Sequence, residues 1–126
     1  MKRFWIGAAL LLVLAAMGIG SAVAMARIHG PISETLTLAA AAAQSGDAEK
    51  AEALAESARA KWEKNRKFSA SCADHEPMED IDSLFAAMEV YRQQGDTTEF
   101  AAACAQLSRL TQAMGDAHAL NWWNLL

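Results

Sequence analysis

Proline and glycine are scarce in this chain, with two and seven occurrences in 126 residues. No stretch alternates apolar and polar residues in the manner of a half-buried strand. Few breakers and no β signal remain beside abundant alanine, which loses no side-chain entropy in a helix. The expectation is an all-α fold. Basic residues are outnumbered, 11 against 15 acidic for a net charge of −4, and no basic stripe interleaved with aromatics is present to track phosphates, so no nucleic-acid partner is expected. Cysteine occurs twice, at Cys72 and Cys104. Neither sits in a CxxC pair or a recognisable thiol–imidazole signature, and no Gly-x-Ser-x-Gly elbow or HExxH is found. Without a catalytic constellation, neither an enzyme nor a cofactor is expected.

What the chain does possess is a long apolar run. Residues 4–26, FWIGAALLLVLAAMGIGSAVAMA, contain 23 uncharged positions in succession, enough as a helix to cross a ~30 Å hydrocarbon core. Lys2 and Arg3 precede it and only Arg27 opposes them, so the positive-inside rule places residues 1–3 in the cytoplasm and residues 27–126 outside it. The expected location is the cell membrane, spanned once. A cleavable signal peptide competes with this anchor: Ala24-Met25-Ala26 has the small-x-small form of a cleavage site, and Gly18 and Gly20 would loosen the helix before it. Cleavage would leave the body secreted, on the same side of the membrane.

Beyond the anchor the chain reads as helices with punctuation. Gly30-Pro31 is a breaker pair, and a short alanine-rich helix is expected over Ile32 to Gln44. Asp47 caps a long helix with an apolar stripe of Ala51, Leu54, Ala55, Ala58 and Trp62, extending to about Ala73. Met78, Ile81, Leu84, Phe85, Met88 and Tyr91 form the next stripe. After Gly95-Asp96, Phe100, Cys104, Leu107, Leu110 and Met114 form the last, with Gly115-Asp116 closing it. Gln44-Ser45-Gly46-Asp47 and Gln93-Gln94-Gly95-Asp96 echo each other as a stop followed by a cap, too few copies for a solenoid. Short turns imply antiparallel neighbours, hence an up-and-down antiparallel helical bundle. In such a bundle Cys72 stands ~37 Å along its helix and Cys104 only ~12 Å along a parallel one, so no disulfide joins them.

The segment SCADHEPMED, residues 71–80, concentrates chemistry-bearing side chains. On a continuous helix Cys72, His75, Glu76 and Glu79 would share a face, but no established metal spacing supports a site there. Arg59, Lys61, Lys64, Arg66 and Lys67 precede Asp74, Glu76, Glu79, Asp80 and Asp82. Cations toward a helix C-terminus and anions at an N-terminus satisfy the helix dipole, so the pattern is expected to mark a helix junction, with His75 bonded to a nearby carboxylate or helix-end carbonyl. The same cations would return toward the membrane beside the anchor, which gives them a second reading as contacts to anionic lipid.

The succession EKAEALAESARAKWEKNRKF, DHEPMEDIDSLFAAMEVY, GDTTEFAAACAQLSRL and a terminal NLL resembles the small anchored bacterial proteins of domain-of-unknown-function family 4363, over nearly the whole chain. In that family's pattern a membrane segment precedes a helix with a Trp-x-Lys-like stretch, an acidic helix opened by histidine, and an Asn-aliphatic end. Trp62, Lys64, His75, Asn124, Leu125 and Leu126 fall in those places, while Pro77 and the Trp122-Trp123 pair depart from it. The resemblance implies an anchor rather than a cleaved leader, and it implies no activity. The expected function is a non-enzymatic, membrane-tethered helical module for a membrane or envelope protein, with Trp62, His75, Trp122, Trp123 and Asn124 as structural or interaction candidates. The competing expectation is a ligand- or metal-binding sensor at the Cys72 to Glu79 junction.

Overall fold

A computed structural model describes the backbone of residues 1–123 and the side chains of residues 1–117. Four helices follow one another: α1 (Lys2–Gln44), α2 (Ala48–Cys72), α3 (His75–Gln94) and α4 (Thr97–Trp123), with no strand among the described residues. The two equivalent turns work as their residues dictate. Gly46 and Gly95 take positive φ values of 84° and 68°, a region that costs glycine nothing because it has no Cβ. The following aspartates then cap: Asp47 Oδ1 accepts from the Lys50 amide at 3.2 Å and Asp96 Oδ1 from the Glu99 amide at 3.1 Å. Each cap satisfies a helix-end donor that would otherwise have no partner within the helix.

Two expected breaks do not occur. α1 passes through Gly30-Pro31 without interruption, so the short helix over Ile32 to Gln44 is the second half of one 43-residue helix, not an element of its own. Proline there removes one intrahelical bond, to the Arg27 carbonyl, and interior proline costs about 3 kcal/mol. The flanking residues Met25, His29, Ile32 and Leu36 are all buried in the bundle, and that packing holds the helix across the defect. Likewise α4 does not close at Gly115-Asp116 but continues to Trp123. Gly115 is buried where α4 meets α1: a Cβ there would lie 3.5 Å from the Cβ of His29. Gly115 thus marks a helix–helix contact, with room for no more than a small side chain, and not a stop.

The helices form an up-and-down bundle. α1 packs extensively on α4 and on α2, α3 packs on α4, and the backbones of α2 and α3 approach only slightly. Side-chain size explains the asymmetry. The α1–α4 seam is lined by small groups, among them Ala39, Ala40, Ala43, Ser33, Ala101, Ser108 and Gly115, which let two backbones come close. Between α2 and α3 stand Trp62 and Phe85, both buried; their rings stack with centroids 6.4 Å apart. A fully buried Trp is worth several kcal/mol of transfer and packing energy, so this wide seam is held by a few large side chains. The core begins at Met25 and extends to the turns at Gly46 and Gly95. Cys104 lies in it, its Sγ 3.7 Å from the Met88 sulfur, and burial pushes its thiol pKa up to about 11. Cys72 and Cys104 are not bridged to each other, as the helix registers require.

Candidate functional site

The most unusual surface of the molecule belongs to α1. Its first half, long and apolar enough to cross a membrane, carries none of its most apolar 18-residue window inside the bundle. Phe4, Trp5, Ile6, Leu10, Leu11, Leu12, Val13, Leu14, Met17 and Ile19 are all more than half exposed. In water such a continuous patch would far exceed what monomeric proteins tolerate. Its second half is core, with Met25, Ile32, Leu36 and Ala39 fully buried. One helix thus serves two environments and changes over near Met25.

Just above the changeover lies a chain of polar contacts built inward from surface to core. Arg66 on α2 donates through Nε at 2.9 Å and Nη2 at 2.7 Å to Asp82 Oδ2 on α3. The other oxygen of Asp82 accepts from Trp62 Nε1 at 2.8 Å. Trp62 in turn contacts the ring of His29, centroids 5.8 Å apart, and His29 Nε2 is 3.2 Å from Ser69 Oγ. His29, Trp62 and Ser69 are all essentially inaccessible. Burial pulls the Asp82 pKa up, but the Arg66 hydrogen bonds, the Trp62 N–H and the Arg66 charge outweigh it, leaving Asp82 below its ordinary value. The arrangement clamps α1, α2 and α3 together. Chemically it joins donors and acceptors of three helices around an aromatic core.

A second buried polar group fastens α1 to α4. Ser33 and Ser108 hydroxyls lie 3.0 Å apart, Ser108 Oγ donates to the Ser33 carbonyl at 2.9 Å, and Thr37 Oγ1 is 2.7 Å from Ser108 Oγ. Thr111 also turns its hydroxyl back to the Leu107 carbonyl. Buried hydroxyls are costly unless bonded, and these bond to each other or to backbone. At the far end of the bundle a cavity of about 90 Å³, lined in part by Ala43, Tyr91, Phe100 and the Glu52–Arg92 pair, has room for a few waters.

The expected site residues separate. Trp62 is the centre of the polar chain just described. His75 is the first residue of α3 and is exposed, and no hydrogen bond to its ring is seen among the described residues. Ala73, in an extended conformation, and Asp74 interrupt the helix between Cys72 and His75. The continuous helix on which Cys72, His75, Glu76 and Glu79 would share a face is therefore not formed, and no group of three His, Cys, Asp or Glu among the described residues is placed to hold a metal ion. A helix junction does fall between the basic and acidic clusters, at Ala73-Asp74, but the dipole account of those charges needs correction. No basic residue lies in the last turn of α2, and only Glu76 lies in the first turn of α3. The dipole effect fades beyond one turn. The cations are placed otherwise: Arg66 on Asp82, Arg59 on Glu63, and Lys61 3.5 Å from the Thr35 hydroxyl, some 15 Å above the level of Met25 at ~1.5 Å per residue. Trp122 and Trp123 lie in the final turn of α4, and Asn124 lies outside the described residues.

Sequence reasoning missed His29, Ser33, Ser69, Ser108 and Thr111. The signal was present in spacing. His29 falls in phase with Met25, Ile32 and Leu36, and Ser69 lies seven residues beyond Trp62, so each polar side chain occupies a core position of its helix.

Fold and surface together define a helical bundle carried on an N-terminal helix that could serve as a membrane anchor or a signal sequence. The chain belongs to the family described as domain of unknown function (DUF4363), whose model matches residues 21–125. No curated protein and no solved structure matches it.

Proposed function

We propose that this protein is a single-pass membrane protein whose bundle lies outside the cytoplasm and serves, without catalysis of its own, as an interaction or accessory module for a membrane or envelope protein. The observation that carries the reading is the division of α1, whose large apolar side chains are exposed over a lipid-length stretch before Met25 and whose inward face is buried in the bundle from Met25 onward. A signal sequence has no reason to share a helix with the core it precedes. Lys2 and Arg3 before the span orient it with its N-terminus inside. The accessory role is supported by how the bundle uses its polar side chains: the buried ones bond one helix to another. The exposed apolar side chains above the span, Leu38, Phe68 and Val90, are presented on three different helices.

A reporter fused after Leu126 should be active only when it functions outside the cytoplasm; activity inside would overturn the orientation. With orientation known, photo-crosslinkers at Leu38, Phe68 and Val90 in intact membranes should capture one membrane or envelope protein reproducibly from one face. Uniform failure from all three positions would remove the accessory role while leaving the anchor intact.

A further inference from the structure

The packed face of α1 does not end where the core ends. Continuing the stripe of Leu36, Ile32, His29 and Met25 toward the N-terminus at steps of three and four residues reaches Ala22, Gly18 and Ala15. These three are half-buried, whereas Leu14, Met17, Ile19 and Val23 around them are exposed. The partner along this stripe is α4. Ser108 lies on Ser33 and Gly115 on Ala26 and His29, so the two helices run antiparallel, and each residue further along α4 descends toward the start of α1. α4 stays helical to Trp123. Eight residues beyond Gly115 at ~1.5 Å each is about 12 Å, which brings the backbone at Trp123 level with residues 18 and 19 of α1. Those residues belong to the uncharged span.

We propose that the C-terminal end of α4 enters the bilayer beside α1, placing Trp122 and Trp123 in the outer part of the lipid leaflet on the bundle side. This rests on the reading of α1 as a membrane anchor. The sequence of the segment fits the placement: from Ala117 to Trp123, AHALNWW, there is no acidic or basic residue apart from His118, and tryptophan is the side chain most at home at a membrane interface. A bundle held at two points, by a full span and by a neighbouring half-turn of aromatic helix, is fixed in orientation over the membrane, which a single flexible tether does not achieve.

Tryptophan fluorescence of the full chain in phosphatidylcholine vesicles, with and without bromine on the upper part of the acyl chains, tests this. In the Trp5→Phe protein the emitters are Trp62, which is buried in the bundle, and the Trp122-Trp123 pair. Brominated lipid should quench this protein, and the loss should vanish when Trp122→Phe and Trp123→Phe are added. Equal quenching with and without those two additions would assign the loss to Trp62 and overturn the proposal. An unquenched Trp5→Phe protein overturns it as well. The Trp122→Phe, Trp123→Phe protein, which keeps Trp5, then separates the two readings. If it is quenched, the anchor stands and only the placement of α4 fails; if it is not, the anchor itself has failed.

Discussion

Trp62 joins three helices: it stacks on Phe85, touches His29 and donates to Asp82. Trp62→Ala should cost about 3 to 5 kcal/mol, the usual range for removing a buried Trp, and a domain stable by ~5 to 15 kcal/mol would lose much of its margin. Chemical denaturation of the full chain in mild detergent, followed by near-UV circular dichroism, measures it. An unchanged midpoint would mean that the indole is not packed as described. Asp82 supplies a test through pH. Its pKa is lowered in the folded state, so its contribution is fully present above the unfolded carboxylate value of ~4 and is lost as pH falls through the lower folded value. The Asp82→Asn protein should therefore be less stable than the parent at pH 7, and the gap between them should close as pH falls through the acid range. A constant gap from neutral pH to acid would show that Arg66 and Trp62 do not favour the ionised form. Glu89 is held down at about 2 by its hydrogen bonds to Arg92 and Gln93, but it sits in a partly exposed surface pair with Arg92 and is expected to add little to this dependence.

At the level of the helix, stripes were legible, but of the four breaks expected at glycine only those at Gly46 and Gly95 occur. Ala51, Ala55, Ala58 and Trp62, then Met78, Ile81, Phe85 and Met88, are buried as their spacing requires, and Gly46-Asp47 and Gly95-Asp96 stop and cap as expected. Gly30-Pro31 lies in a segment with buried residues on both sides, and Gly115 itself packs on α1. Local propensity of a few kcal/mol loses there to tertiary burial. The polar core was legible in position but not in bonding, because spacing places a serine or histidine on a core stripe while its partner lies on another helix. Gly115 gives this lesson a measurable form. A Cβ at that position would make ordinary contacts, the nearest at 3.5 Å, and alanine gains about 0.8 to 1 kcal/mol over glycine within a helix. Gly115→Ala should therefore be neutral or stabilising in the same denaturation assay. Gly115→Leu should lose about 1 to 3 kcal/mol by forcing α4 off α1. Equal tolerance of both would show that the helices do not meet closely at this point.

For the molecule as a whole, the decisive feature is that the long apolar segment and the bundle share an unbroken helix. A cut after Ala26, at the small-x-small sequence Ala24-Met25-Ala26, would fall inside α1 and not in a linker. It would remove Met25, which is fully buried, and so cost at least the ~2 to 5 kcal/mol typical of truncating a buried methionine. It would also create a new helix start at Arg27, with unsatisfied amides in the turn that carries His29 and without the acidic residues that favour such an end. The buried contact with Ser69 would then hang from a frayed terminus. A protein that is processed loses part of its own core, whereas a protein that keeps the span loses nothing and has its bundle directed rigidly by the anchor. The expected outcome is retention: intact-mass measurement of the purified membrane-bound chain should give a species that includes residues 4–26, and a tag placed before Met1 should remain with the bundle in the membrane fraction. A mature species beginning at Arg27 would overturn the anchor. Its stability, compared with that of the uncleaved chain, would then show whether Met25 matters to the core as its burial indicates.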